Sequence, residues 1–409
     1  MIQTCRICRN PSLIEILDLG FAPPSNNLLD SQDMESPEVY FPLKLLFCEN
    51  CKLGQTMDFH NNQELFNSKY PYLSSTSTTW INHSLALAQK LINNFNLTKD
   101  SLVVEVASND GYLLQYFNQQ GIPNYGIEPT KIPFEIAIKK GLRVHNIFLT
   151  EQTSNLLLEK HGTVDLIIAI NVFAHVRNLD DFCKAIKNLL KPSGTLVVEV
   201  QYLPTLLIDQ LFDTIYHEHF SYFTFFAIET LLKIYDLQIY KVEKLETHGG
   251  SIRIFAQKIP TTIEIHTSVP DIKTYENSLN LSQLLKEFGI KVQIKRDEIK
   301  NFISELRKQN KKIAFIGAAA KGNTLINYCG LSKNDVCAVF DSAESKHNKY
   351  LPGSHIPIKP FLKENLSQFD SFIILPWNLS NEFSQLIIKM GFQNSYLIFR
   401  LLPEIQRLN

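Results

Sequence analysis

The chain has 409 residues, 44% hydrophobic and 11% aromatic, with a formal net charge of −1. That length supports two or three domains with sizeable cores, and the balanced charge argues against nucleic acid as a partner. No apolar run is long enough for a membrane span and no secretory signal opens the chain, so a cytoplasmic, reducing location without a membrane partner is expected.

Four of the seven cysteines fall within the first 51 residues, as Cys5-x-x-Cys8 and Cys48-x-x-Cys51. Two residues between thiols let both sulfurs reach one tetrahedral zinc ion at about 2.3 Å. Four thiolates close the coordination sphere, so one structural zinc is expected, without an open position for water. The stretch between the pairs exceeds the usual ribbon spacing and must fold away as a loop. Prolines 11, 23, 24, 37 and 42 make the segment read as loops and short strands. A small metal-binding domain is expected over residues 1–65. Cys183, Cys329 and Cys337 are expected to be small core residues.

Tyr70-Pro71-Tyr72 and the Ser/Thr run 74–79 read as a link, and Trp80 to Phe95 has helical apolar spacing. From Ser101 strands and helices alternate. Residues 102–106 read as a strand, 108–111 as a turn, 112–121 as a helix and 124–128 as a second strand. Residues 164–170 and 195–200 read as buried strands around a helix at 179–190, which Pro192 and Gly194 are expected to stop. Residues 237–245 and 251–258 read as a hairpin. This pattern predicts an α/β fold with a parallel, doubly wound sheet over residues 66–260. Past Pro260 a helical stretch runs from about Thr274 to Asn310. A second strand–loop–helix begins at Lys312, with strands expected at 336–340 and 371–375, so residues 261–409 read as another nucleotide-type fold.

The loop Glu105-Val106-Ala107-Ser108-Asn109-Asp110-Gly111 stands where the first strand of the central fold turns into a helix. Small residues let the backbone approach a cofactor, and Glu128-Pro129 at the end of the next strand places a carboxylate where ribose hydroxyls bind. A dinucleotide loop reads G-x-G-x-x-G and receives a pyrophosphate. This loop lacks the first two glycines and puts Asp110 where phosphates would lie. S-adenosylmethionine has no phosphate and carries a sulfonium cation, so it is the expected cofactor; a nicotinamide cofactor is the alternative. Asn171, Val172 and His175 follow the strand 164–170 at the same carboxyl edge, where His175 either lines the pocket or simply starts a helix.

Directly after residues 195–200 comes Tyr216-His217-Glu218-His219-Phe220-Ser221-Tyr222-Phe223. A histidine of near-neutral pKa can remove a proton beside a ketone, and the resulting enolate carbon can attack a methyl sulfonium. A tyrosine or Glu218 can position the base or stabilise the enolate oxygen. On an extended chain His217 and His219 face opposite ways. Thr247-His248-Gly249-Gly250-Ser251 is either a cover for the same pocket or a hairpin turn.

Together these residues resemble the bacterial nucleotide-sugar C-methyltransferases that make branched deoxysugars. The paired cysteines resemble the family's zinc domain, the 105–111 loop, Glu128 and YHEHFSYF its catalytic domain, and Gly317-Ala318-Ala319-Ala320-Lys321-Gly322-Asn323-Thr324 the opening of its C-terminal Rossmann-like domain. The resemblance implies a nucleoside-diphosphate 4-keto deoxysugar, with dTDP as the expected nucleotide, methylated beside the ketone. By residue match His219 is the base, with Tyr216, Glu218 and Tyr222 beside it. Tyr70 or Tyr72 reaches into the pocket, Tyr70 preferred. Lys321 and Asn323, with His248, are candidates for holding the nucleotide-sugar, although Lys321 reads equally as a solvated lysine. A monomer or weak homo-oligomer is expected. The rival readings are a nicotinamide-dependent nucleotide-sugar oxidoreductase and a zinc-ribbon binding protein with an inactive methyltransferase core.

Overall fold

The computed structural model describes residues 4–59, 72–261, 263–392 and 396–409. Tyr70 and the expected 65/66 boundary lie outside them. Among the described residues no helix is long and apolar enough to cross a membrane.

Strands β1 (Ile14–Ala22), β2 (Phe41–Phe47) and β3 (Gly54–Thr56) form an antiparallel meander. Ile14 pairs with Phe47, so β2 returns the chain to where the first cysteine pair left it. The second pair occupies the turn between β2 and β3, closed by the Cys48 N–H on the Leu53 carbonyl at 2.8 Å. This pairing explains how two motifs so far apart in sequence reach one point. The free edge of β3 takes up Ser221–Tyr222 from the central part of the chain.

The second sheet holds β4 (Val103–Val106), β5 (Asn124–Ile127), β6 (Val144–His145), β7 (Val164–Ile170) and β8 (Leu190–Gln201) in parallel. After β9 (Ser221–Tyr222), the antiparallel hairpin of β10 (Leu237–Leu245) and β11 (Ser251–Lys258) joins the edge at β8, giving the order β10-β11-β8-β7-β4-β5-β6. All four residues of β4 are buried, as expected for a parallel sheet covered on both faces. The helix Leu179–Leu189 ends where expected, but Pro192 and Gly194 do not terminate it: β8 already starts at Leu190 and runs through both, with its register against β7 shifting there.

The helical stretch after Pro260 is two helices, Ser268–Ser278 and Leu281–Lys308. Asn280 breaks it by capping the second, its Oδ1 accepting the Gln283 N–H at 3.2 Å. Strands β12 (Ile313–Ile316), β13 (Ala338–Asp341), β14 (Ile358–Pro360), β15 (Ser371–Ile374), β16 (Leu397–Arg400) and β17 (Gln406–Arg407) form the third sheet, in the order β14-β13-β12-β15-β16-β17, parallel except for β17.

Cys183 and Cys329 are buried as expected; Cys337 is exposed, because it points outward between buried Val336 and Ala338 at the approach to β13. Cys5, Cys48 and Cys51 belong to the same apolar cluster as the core of the central sheet, while Leu17, Leu45 and Phe47 pack into the core shared with the third sheet. The small meander is thus wedged between the two larger sheets.

Candidate active site

One cavity of about 580 Å³ opens at the carboxyl ends of β4, β5, β7, β8 and β12, and Asn26 of the N-terminal unit also reaches it. Its lysines are Lys321 and Lys346, both from the third sheet's surroundings, where Asp341 and Glu382 also line it; the end built by the central sheet carries Glu128 and Asp181 and no lysine or arginine.

At the central-sheet end, β4 runs into a loop with left-handed Ala107, Asn109 and Gly111 (φ 51°, 48° and 77°). Gly111 is required twice over: by its φ, and because a Cβ there would lie 2.1 Å from Leu142 Cδ1. Glu128 ties the loop down. Its Oε2 accepts the Asn109 N–H at 2.9 Å and its Oε1 the Thr130 N–H at 2.7 Å. Burial pushes the Glu128 carboxyl above its ordinary pKa, with the Thr130 and Asn109 hydrogen bonds opposing. Asn109 Oδ1 in turn accepts the Ser74 N–H at 2.9 Å.

Ala107, Asn109, Glu128 and Pro129 line the cavity, as do Asn171, Val172 and His175. Glu105, Ser108, Asp110 and Gly111 stand behind that wall. The Glu105 carboxyl is buried beside Tyr112 and burial holds its pKa well up. Asp110 turns to the Ser75 hydroxyl and to Lys140 Nζ at 3.5 Å. Its charge therefore does not face the ligand, contrary to the expectation from sequence. The better argument against a pyrophosphate is Glu128 facing a cavity end with no lysine or arginine on its wall.

The segment 216–220 is not extended. The His219 N–H closes a turn on the Tyr216 carbonyl at 2.9 Å, and only Ser221–Tyr222 forms a strand. His219 Nδ1 lies 2.9 Å from the Thr214 carbonyl, so Nδ1 carries the proton and Nε2 presents its lone pair, which accepts the Tyr216 hydroxyl at 2.8 Å. Burial, then the neighbouring His175, pulls the His219 pKa well below its ordinary value. His175 stacks edge-on at 4.7 Å between ring centroids, donates Nδ1–H to the Glu218 carbonyl at 2.8 Å, and is pulled down to about 4 by burial.

Tyr216 and His219 line the cavity; Glu218, Tyr222 and His217 do not. Burial pushes the Glu218 carboxyl up to about 7, and its Oε2 accepts Asn26 Nδ2 at 2.6 Å. Tyr222 donates to the Thr214 carbonyl at 3.2 Å, the same oxygen that holds His219. His217 does face away, but because of the turn: its ring meets Phe41 of β2 at 6.1 Å.

His248 lines the cavity 4.9 Å from the Trp80 ring, at φ 53°, and burial pulls its pKa to about 4. The adjacent Gly249 is pressed on Trp377, where a Cβ would come within 2.3 Å. Trp377 joins the two larger units: its indole donates to Asp213 Oδ2 at 2.7 Å, and Lys321 lies 4.6 Å over its ring while donating to Asn378 Oδ1 at 2.7 Å. Lys321 is thus a cavity-wall residue rather than a solvated one. Asn323 is buried and does not line the cavity. Tyr72 lines it. Sequence reasoning missed Asn26, Trp80, Thr214, Lys346 and Trp377. Of these only Lys346 carried a usable signal, standing just after the second acidic strand end at Asp341, to which it lies 3.3 Å away.

The cysteine sulfurs converge: Cys5 and Cys51 are 3.3 Å apart, Cys8 and Cys48 3.5 Å, and the four lie within 4.8 Å of one another. Tetrahedral zinc–thiolate bonds need sulfurs about 3.8 Å apart, so this donor set fits one zinc ion.

Three family models match consecutive parts of the chain, the last of them beginning before β11 of the central sheet. Residues 5–66 match a zinc binding domain, 80–242 a methyltransferase domain, and 246–401 the C-methyltransferase C-terminal domain. The C-methyltransferase NovU of Streptomyces niveus is 30% identical over 383 residues, covering 93% of this chain and 91% of NovU. Among solved structures, an S-adenosylmethionine-dependent methyltransferase from Clostridium acetobutylicum ATCC 824 is 16% identical with a TM-score of 0.35, covering 44% of this chain and 92% of its own. The PH0226 protein from Pyrococcus horikoshii OT3 is 16% identical with a TM-score of 0.36, covering 49% and 100%. The family models and NovU define an S-adenosylmethionine-dependent methyltransferase, and the cysteine cluster gives it a zinc-binding domain. More narrowly, the chain belongs to the C-methyltransferase family that includes NovU.

Proposed function

We propose that the chain methylates the carbon beside the ketone of a nucleotide-linked 4-keto deoxysugar, most simply a dTDP sugar, with His219 as the base. One observation carries this reading: a single cavity combines a histidine lone pair, a carboxylate-bearing end from the central sheet, and two lysines from the third. The sulfonium nucleoside suits the first end and a pyrophosphate the second. The division is 1–65 for the metal unit, 66–260 for methyl transfer and 261–409 for the sugar nucleotide, in a cytoplasmic monomer or weak homo-oligomer.

S-adenosylmethionine, when bound, supplies an electrophilic methyl group on a sulfonium. Glu128 would take ribose hydroxyls, Ala107, Asn109 and Asn171 the rest of the polar rim, and Val172 and Pro129 the apolar slot. Glu105, Ser108, Asp110 and Gly111 act behind the wall by fixing the loop. His219 accepts the sugar's α-proton at Nε2, and the C–H electron pair remains on the sugar as an enolate. The Tyr216 hydroxyl donates to Nε2 in the empty site; with the sugar bound it turns to the ketone oxygen, which frees the Nε2 lone pair for the α-proton and keeps the hydroxyl on the oxygen as it becomes the enolate. Glu218 and Tyr222 support from outside the cavity, holding Asn26 and the Thr214 carbonyl. Lys321 meets phosphate, His248 covers the sugar, and Asn323, buried in the helix Ala320–Tyr328, acts only through that helix. Tyr72, which lines the cavity, is the described candidate for the reaching tyrosine.

The test is incubation with S-adenosylmethionine and dTDP-4-keto-6-deoxysugars. Mass spectrometry should find one added methyl group, and NMR should place it on the carbon next to the ketone. Methylation at a hydroxyl oxygen, or turnover only with acceptors lacking a ketone, refutes the reading.

A further inference from the structure

The metal unit does more in this fold than close its own small core. Arg6 sits inside the first cysteine pair and is buried, and its side chain crosses to the catalytic turn. Arg6 Nη1 donates to the Phe220 carbonyl at 2.7 Å and Nη2 to the Thr56 carbonyl at 2.9 Å, and the guanidinium also pairs with Asp58. The Thr56 N–H donates to the same Phe220 carbonyl at 3.1 Å, and Thr56 Oγ1 donates to the His219 carbonyl at 2.9 Å. From the opposite side, the Phe220 N–H reaches the Ala174 carbonyl at 2.7 Å, next to His175. β3 then continues this clamp by pairing Gln55 with Ser221 and Gly54 with Tyr222. His219 is held by its N–H, by its carbonyl and by its ring, and the second of these holds comes from the metal unit.

We infer that Thr56 and Arg6 are positioning residues for His219, so that the zinc knuckle sets the aim of the base. This rests on His219 being that base. Near-attack geometry is steep in distance: a displacement on the order of 1 Å costs about 10²-fold in rate. A carbonyl released from Thr56 lets the turn relax by that order without touching the ligands at either end of the cavity.

The experiment uses the full zinc-loaded chain with Thr56→Val, Thr56→Ser and Arg6→Lys, each also combined with His219→Asn. Thr56→Val and Arg6→Lys should keep one zinc per chain and leave S-adenosylmethionine affinity within about twofold. Their kcat and the exchange of the sugar's α-proton in D2O should both fall about 10- to 100-fold, with KM changed far less. Thr56→Ser, which keeps the hydroxyl, should restore both. On the His219→Asn background Thr56→Val should add almost nothing, because its effect runs through that ring. Wild-type turnover in Thr56→Val and Arg6→Lys, when His219→Asn alone is crippled, overturns the positioning role and leaves the base assignment standing. An equal loss in both backgrounds also overturns it. Normal turnover in His219→Asn removes the base assignment and this inference with it.

Discussion

Replacing His219 by asparagine isolates the base with little disturbance. The asparagine amide nitrogen can take the place of Nδ1, 2.9 Å from the Thr214 carbonyl, and the backbone hydrogen bonds of the turn do not involve the side chain. What disappears is Nε2 and its hydrogen bond from Tyr216. That neutral bond is worth about 1 kcal/mol. Loss of a general base costs about 10²–10⁴ in rate, or about 2.7–5.4 kcal/mol of barrier. The chemical term therefore dominates, and kcat should fall by that factor while S-adenosylmethionine affinity, set at the Glu128 end, stays nearly constant. Methyl transfer followed by mass spectrometry and α-proton exchange followed by NMR in D2O should fall in parallel where deprotonation is reversible. His217→Asn is the control, since His217 packs toward Phe41 and does not line the cavity. Turnover within tenfold of wild type in His219→Asn refutes the assignment. If His217→Asn is the damaging change, the wrong histidine has been chosen. If neither matters, Glu218 and the tyrosines are next.

Glu128→Gln should weaken S-adenosylmethionine binding by about 1.5–3 kcal/mol in calorimetry, with no comparable NAD affinity; the amide keeps one of the two acceptors that hold the Asn109 and Thr130 N–H groups, whereas alanine would strip both. Unchanged affinity, or tight NAD binding, contradicts this. Cys48→Ser should lose zinc by metal analysis and lower Tm sharply, since structural sites contribute on the order of 10 kcal/mol to folding; a metal-free protein of full stability ends the claim. Lys321→Met should raise KM for the nucleotide-sugar about tenfold, leaving cofactor affinity alone; an unchanged KM removes lysine from phosphate binding. For pH, burial, His175, Lys321 and His248 all lower the His219 pKa and the Thr214 carbonyl opposes them. A base must be unprotonated, so kcat/KM is retained above that pKa and lost as pH falls through it. The acid limb should then lie well below 6.5, and an inflection at or above 6.5 is the contrary result.

Legibility followed range. β4, β7 and the β10–β11 hairpin were readable because their buried apolar runs and turns are local, and the cysteine pairs because chelation fixes their spacing. Tyr216 to Phe220 was misread as extended. Its turn is closed by local bonds to Tyr216 and Thr214 but pinned by bonds to Ala174 and Thr56, far away in the chain, and local propensity carries no trace of these. Asp110 was misaimed for a similar reason: its direction is set by Lys140 and Ser75. Trp80 stands in the sequence only as the start of a helical run, and Trp377 belongs to no motif. Nothing in the sequence places Trp377 against Asp213 and Gly249, a contact made when the third sheet docks on the central one.

The two parallel sheets use one device with opposite electrostatic outcomes. In each, a carboxylate at the end of the second strand holds an amide in the loop after the first: Glu128 the Asn109 N–H at 2.9 Å, Asp341 the Ala318 N–H at 2.7 Å. Asp341 also faces Lys346 Nζ at 3.3 Å, which holds its carboxyl below its ordinary pKa although burial opposes this. Lys321 stands on the same side, so the third-sheet end of the cavity carries two cations beside two carboxylates, Asp341 paired with Lys346 and Glu382 accepting the Thr79 hydroxyl at 2.6 Å. Glu128 has no such partner on the cavity wall. On the proposed reading each ligand meets the end its charge requires. A sulfonium beside the lysines, or a diphosphate beside Glu128, would face like charge in a partly desolvated site, where a unit pair at 4 Å costs about 4 kcal/mol at an effective dielectric of 20. The lysines stand only at the third-sheet end, and on the proposed reading that bias favours the diphosphate entering there.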